Sequence, residues 1–140
     1  MVYLGLDLGS KTLGISISDR TSTIASSVEV IRYNNIDELF NRLDEIVYIR
    51  KVDAFVLGNP LNLDGSLSKR SEETLEFKKE LEKKYPTKKV ILQDERLSTV
   101  EAERMLISND TKRKNRKKVI DKIAATIILQ AYLDRSKNER

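Results

Sequence analysis

At 140 residues, 39% hydrophobic and 34% charged, the chain is long enough to close one core unaided and too hydrophobic to be disordered. It has neither cysteine nor histidine, which excludes a disulfide framework, a thiol nucleophile, a Ser-His-Asp triad and any Cys- or His-built zinc site. The 26 Lys and Arg against 22 Asp and Glu give a formal charge of +4, suited to a polyanionic partner, and leave carboxylates, Lys, Tyr and hydroxyls as the available chemistry.

Residues 2–9 alternate as a strand, with Val2, Leu4, Leu6 and Leu8 on one face and Tyr3, Gly5, Asp7 and Gly9 on the other. Residues 14–19 alternate again, Ile15 and Ile17 against Ser16 and Ser18, and residues 26–32 form a third short strand through Val28 and Val30. Three such strands in succession predict an antiparallel meander. Asn35 is positioned to cap a helix whose apolar stripe is Ile36, Leu39, Phe40, Leu43, Ile46, Val47 and Ile49. Residues 54–58 are an unbroken apolar run of the kind buried on both faces of a parallel sheet, and they lead into the loop GNPLNLDG at 58–65.

A charged amphipathic helix is predicted over 67–85, stopped by Pro86, and a strand over 89–95. Ser98 and Glu101 have the spacing of a capping box for a further helix. Residues 109–118 are polar and basic and read as a loop before a last helix over 117–136, with Ile120, Ile123, Ala124, Ile127, Ile128 and Ala131 as its apolar face. The order βββαβαβαα predicts an α/β fold, a mixed five-stranded sheet with the meander first and parallel strands after, helices packed on it, and one domain over 1–140. With no charged leader and no apolar run of membrane length, the expected location is the cytoplasm.

Three acids stand in apolar company. Asp7 lies inside the first strand between Gly5 and Gly9, where a carboxylate is expensive to bury unless it is paired or bound to a metal; otherwise it caps the turn that follows. Glu95 closes the strand containing Val90, Ile91, Leu92 and Gln93, at the strand end where ligands bind in open α/β sheets. Asp94 then faces the opposite way, and the bland alternative is that both acids are solvated and pair with Arg96. Asp121 falls in the first turn of the predicted last helix and shares a side with Ala124, Ala125 and Ile128, although an acid there would equally complement the helix dipole. Together the three could hold one or two Mg²⁺ or Mn²⁺ ions, which activate water and stabilise the charge of an in-line phosphoryl displacement. Residues 112–118 hold six cations in seven positions and read either as a solvated loop or as a clamp on nucleic-acid backbone through Arg113, Lys114, Arg116 and Lys117. The five tyrosines are scattered and form no stacking platform for single strands.

Four motifs occur in order along the chain: Leu6-Asp7-Leu8-Gly9-Ser10-Lys11 with Gly14, the loop at 58–65, Asp94-Glu95-Arg96-Leu97-Ser98-Thr99, and Val119-Ile120-Asp121 followed by Ala124-Ala125. Over essentially its whole length the chain thereby resembles the YqgF family. That family is similar to Holliday junction resolvases of the ribonuclease H-like superfamily and is assigned to processing the 5′ end of pre-16S ribosomal RNA. The resemblance implies a metal-dependent nuclease, using Mg²⁺ or Mn²⁺ as a monomer or homodimer on pre-ribosomal RNA or branched DNA. It also implies that Asp7, Glu95 and Asp121 occupy the family's catalytic and metal-binding positions, with Lys11, Arg96 and the loop at 59–66 near the substrate. The chain departs from the family at Asn59, where an aliphatic residue is usual before Pro60, and at Thr12-Leu13, which replace a more basic pair.

Two readings of other classes compete. The pattern D-x-G-S-K-x-x-G also resembles the phosphate-binding turn of the actin and sugar-kinase superfamily, but those proteins close two such lobes on a nucleotide and this chain has one copy. A nucleic-acid-binding module that has lost its chemistry is the other.

Overall fold

Period-two alternation and β-branched residues build five strands, which form one sheet in a computed structural model describing residues 1–61, 64, 66–94 and 113–138, without the side chains of 113–122 and 138. The strands are β1 (Tyr3–Leu8), β2 (Thr12–Ser18), β3 (Ala25–Arg32), β4 (Ala54–Asn59) and β5 (Lys89–Asp94), in the spatial order β3-β2-β1-β4-β5. The first three pair antiparallel, as a meander must, while β4 joins β1 and β5 joins β4 in parallel. The expected mixed sheet is therefore present, with β1 at its centre.

Local chemistry sets the ends of the elements. Asp19 accepts hydrogen bonds from the backbone N–H groups of Thr23 and Ile24 and from the Thr21 hydroxyl, which closes the β2–β3 turn. Those bonds, the Thr21 hydroxyl foremost, favour the ionised form and hold its carboxyl down at about 2. Helix α1 (Ile36–Ile49) starts at Asn35, whose side chain accepts from the Glu38 N–H as expected of an N-cap. Helix α2 (Lys69–Lys84) is shorter at both ends than its predicted 67–85, because Ser68 and Ser71 form a capping box that fixes the first turn.

Helix α3 (Arg113–Asn138) corrects the sequence reading at its start. The basic stretch expected as a loop over 109–118 is helical from Arg113 onward. Lys and Arg are good helix formers and no Gly or Pro interrupts them, so the charges decorate a helix that the apolar pattern alone would begin later. Asp121 is thus well past the first turn, and the helix-dipole explanation for it lapses. The buried stripe of α3 is Ala124, Ala125, Ile128, Leu129 and Leu133; Ile123 and Ile127 are only partly buried, and Ala131 is exposed. The helix predicted after Ser98 lies outside the described residues.

The sheet has a core on each face. On one, Leu4, Leu6, Leu13, Ile15, Phe55 and Leu57 pack against Leu39, Leu43, Phe77 and Leu81 of α1 and α2. On the other, Tyr3, Ala54 and Val56 pack against Ile128, Leu129 and Leu133 of α3. Each fully buried aliphatic or aromatic side chain here contributes about 1.5–3 kcal/mol. Two serines sit buried on the α3 face: Ser18 accepts from the Tyr3 N–H at 2.8 Å, and Ser16 donates to the carbonyl of Ala125 at 2.7 Å.

Gly5 makes this second contact possible. A Cβ at Gly5 would stand 2.2 Å from the Ser16 hydroxyl, 2.7 Å from Leu129 Cβ and 2.9 Å from the Ala125 carbonyl oxygen. Gly5→Ala is expected to destabilise the protein by about 1–3 kcal/mol, the usual cost of overpacking, measured by denaturant unfolding. Adding Ser16→Ala to that variant should recover only part of the loss, since two of the three close atoms remain. A Gly5→Ala protein as stable as the wild type would mean that α3 does not seat on β1 as described.

Candidate active site

Asp7 lies half-buried near the end of β1, two residues beyond Gly5 and on the same face of the strand. Across β2 its partner is Gly14. The parallel register of β1 with β4 runs from Tyr3 opposite Ala54 to Leu6 opposite Leu57, and one further step sets Gly58 beside Asp7. Gly58 in turn pairs with Gln93 of β5. One cross-strand row on the α3 face therefore reads Gly14, Asp7, Gly58, Gln93. The strand on either side of Asp7 contributes no side chain, which leaves the carboxylate uncrowded along the row.

Helix α3 packs on the same face of the sheet, and its contacts fix its direction along β1. The rings of Tyr3 and Tyr132 stand 5.3 Å apart between centroids, and Gly5 lies under Ala125 and Leu129. Advancing along β1 thus means retreating along α3. At about 3.3 Å per strand residue and 1.5 Å per helix residue, the two residues from Gly5 to Asp7 match about four residues of helix. Stepping back four residues from Ala125 and from Leu129 sets Asp7 opposite the stretch of α3 at roughly 121–125. The same spacing keeps Asp121 in line with Ala124, Ala125 and Ile128, all buried.

Of the other predicted residues, Lys11 is exposed in the β1–β2 turn, its carbonyl accepting from the Tyr33 N–H at 3.1 Å. Glu95 and Arg96 lie outside the described residues. Arg113, Lys114, Arg116 and Lys117 form the first turns of α3, with only their backbone described. In the loop at 59–66, the Leu61 N–H donates to the Asn59 carbonyl, and the Ser68 hydroxyl donates to the Pro60 carbonyl at 2.5 Å, which ties the loop to the N-cap of α2. Among the described residues no three acids gather around one point, as Asp7 is the one predicted acid with a described side chain.

Two residues at this end of the sheet were not read from the sequence. Arg70, in the first turn of α2, donates from its guanidinium to the Leu8 carbonyl at 3.0 Å, one residue from Asp7. Nothing in the charged pattern of α2 distinguishes it from its neighbours. Gln93 is 9% exposed, and its side-chain carbonyl has no hydrogen-bond partner among the described residues. Its alternation with Ile91 was the available signal. Asn59 is 7% exposed with its own carbonyl unpartnered, but it shares the opposite face with Phe55 and Leu57.

The donor set suits a hard divalent cation. Carboxylate and amide oxygens are present, imidazole and thiolate are absent from the whole chain, and the Gln93 carbonyl is a buried oxygen with its lone pairs uncommitted.

Comparison with known proteins agrees with this architecture. A family model described as RuvX: Holliday junction resolvase matches residues 1–135. A protein of Bacillus pumilus is 50% identical over 136 residues, covering 96% of this chain and 98% of its own. One from Caldanaerobacter subterraneus is 46% identical over 141 residues and 99% of each chain. Both carry the name "Putative pre-16S rRNA nuclease". Among solved structures, the fowlpox virus Holliday junction resolvase superposes with a TM-score of 0.54 at 18% identity, covering 96% of this chain and 99% of that one. T. thermophilus RuvC in complex with a Holliday junction substrate gives 0.55 at 14%, covering 97% and 96%. These two likenesses establish a ribonuclease H-like fold.

The unpartnered carbonyl of Asn59 generates a stability test. Leu keeps the branched skeleton of Asn without its polar atoms, so Asn59→Leu is expected to raise stability by about 1 kcal/mol, the cost of a buried acceptor left without a partner. Thermal unfolding measures it, and a lowered midpoint would show that the amide has a structural role.

Proposed function

The chain belongs to the RuvX family of Holliday junction resolvases, and on that premise we propose that it is a metal-dependent nuclease acting on structured nucleic acid. It hydrolyses phosphodiester bonds, and its substrate is pre-16S ribosomal RNA, trimmed at the 5′ end; relatives that match nearly its full length are named for a pre-16S rRNA nuclease. The second reading, cleavage of four-way DNA junctions, is favoured by the family's own description. The observation that carries the proposal is the setting of Asp7: a carboxylate near the end of the central strand, flanked in its row by glycines and facing the helix that carries Asp121.

Asp7, Glu95 and Asp121 would hold the cation, Mg²⁺ or Mn²⁺. Continuing the alternation of β5 one residue past Asp94 would return Glu95 to the face of Ile91 and Gln93, which is that of Asp7. A divalent cation in such a site supplies a water of lowered pKa and charge stabilisation at the phosphate. The carboxylates orient that site, and no side chain of this protein offers an imidazole or thiolate to take over the proton transfer. Lys11, Arg70, Arg96 and the basic start of α3 would hold the phosphate backbone, which gives affinity without sequence choice. Residues 1–140 act as one nuclease domain in the cytoplasm. Among the described residues no helix is long and apolar enough to cross a membrane.

Asp7→Asn, Glu95→Gln and Asp121→Asn are each expected to lower cleavage at least about 100-fold with the fold intact, since each removes one ligand charge from a site contributing several kcal/mol at the transition state. Asp94→Asn should be milder, because its side chain leaves the other face of β5. Groups acting as a unit are non-additive, so the triple variant should be scarcely worse than the worst single one. Single-turnover cleavage of a pre-16S fragment measures all of these; wild-type rates for Asp7→Asn would sink the mechanism.

The basic start of α3 is expected to serve binding. Changing Arg113, Lys114, Arg116 and Lys117 together to Gln should flatten the slope of log affinity against log salt by about 1.5 to 2.5, two or three lost phosphate contacts at roughly 0.7–0.9 each. The rate at saturating substrate should change far less. A salt titration of binding in Ca²⁺ gives the slope, and an unchanged slope would mean the backbone is held elsewhere.

A further inference from the structure

Three buried side-chain atoms among the described residues have no hydrogen-bond partner: Asn59 Oδ1, Gln93 Oε1 and Thr126 Oγ1. Gln93 alone stands in the cross-strand row of Asp7. Its place on the α3 face follows from alternation, since Val90 and Leu92 pack with the α1 and α2 core while Ile91 packs with the α3 core. Between Gln93 and Asp7 the row holds only Gly58, so no side chain separates them. Two strand spacings put their backbones roughly 10 Å apart. An aspartate, a longer glutamine and one hydrated six-coordinate cation can fill that span.

An apolar residue at 93 would continue the Ile91 side of β5 and leave nothing unsatisfied. The chain instead buries a carbonyl whose desolvation no group among the described residues offsets. We propose that the Gln93 side-chain carbonyl is a further oxygen donor of the metal site, holding the divalent cation opposite Asp7 either directly or through one of its waters. Side-chain amide carbonyls are ordinary ligands for hard cations, and they add an oxygen without adding charge repulsion between neighbouring carboxylates. Gln93 is in this sense a positioning residue, and the inference rests on the metal-dependent reading above.

The test is calorimetric titration of Mn²⁺ into the full chain as wild type, Gln93→Met and Gln93→Glu, with thermal unfolding of each in EDTA and in Mn²⁺. Gln93→Met conserves volume and removes the carbonyl. It should bind Mn²⁺ about 10- to 100-fold more weakly, the usual effect of losing a group that supports a metal site. Its unfolding midpoint in EDTA should equal or exceed that of the wild type, because no hydrogen bond is lost. Gln93→Glu should unfold earlier in EDTA, through repulsion with Asp7, and gain more from Mn²⁺ than the wild type does. Mn²⁺ affinity of Gln93→Met within twofold of wild type would overturn the inference while leaving the metal-dependent reading intact. A midpoint of Gln93→Met lowered in EDTA would overturn it by revealing a structural partner, and a Gln93→Glu protein that gains no more from Mn²⁺ than wild type would do the same. Failure of the wild type to bind Mn²⁺ would overturn both readings.

Discussion

The contact between α3 and the centre of the sheet governs where every proposed functional group stands. At Gly5 the helix comes so close that a single added carbon would meet the Ser16 hydroxyl, the Leu129 side chain and the Ala125 backbone. Three small or polar residues make that approach possible. Gly5 offers no side chain, Ala125 offers only a methyl group, and Ser16 converts the proximity into a bond to the Ala125 carbonyl. Because the helix is rigid and the sheet is rigid, one such contact fixes the relative height of groups on both for some distance either way. Tyr132 is held against Tyr3 toward the start of β1, and the part of α3 that precedes Ala125 runs toward Asp7 at its end.

The row through Asp7 uses the same device in the perpendicular direction. Glycines at 14 and 58 clear the space on either side of the carboxylate within the sheet, and parallel pairing brings the ends of β1, β4 and β5 to one edge. Parallel strands of this kind are buried on both faces, and all six positions of β4 are buried. Polar side chains are therefore conspicuous there. Asn59 and Gln93 are the two buried ones near the ends of β4 and β5, each with a carbonyl lacking a partner among the described residues, and they lie on opposite faces.

Much of this was legible in the sequence because the relevant signals are short-range. Alternation gave the strands, the apolar run at 54–58 gave a fully buried β4, and Asn35 gave the start of α1. The spacing of Asp121 to Ala124, Ala125 and Ile128 also named three residues that are buried against the sheet. What escaped was set by other forces. The density of charge in the basic run suggests a loop, yet Lys and Arg favour helix where no breaker intervenes. Hydrophobicity alone places Ile123 and Ile127 on the buried face of α3, whereas Ala125 and Leu129 lie deeper, because the close approach at Gly5 turns their side of the helix to the sheet. Arg70 owes its position to pairing between distant segments, which no local pattern encodes, and the alternation of Gln93 with Ile91 gives its face but not its place in the row of Asp7.

The account stands on one claim, that carboxylates brought by β1, the end of β5 and α3 share a cation over the glycine-flanked row. Anomalous diffraction at the manganese edge, from crystals grown with Mn²⁺, tests this most directly. The account predicts manganese bonded to the Asp7 carboxylate, with Glu95 and Asp121 as its other acidic ligands. Manganese bound elsewhere, or an Asp7 carboxylate turned away from it and engaged only with the β1–β2 turn, would contradict it.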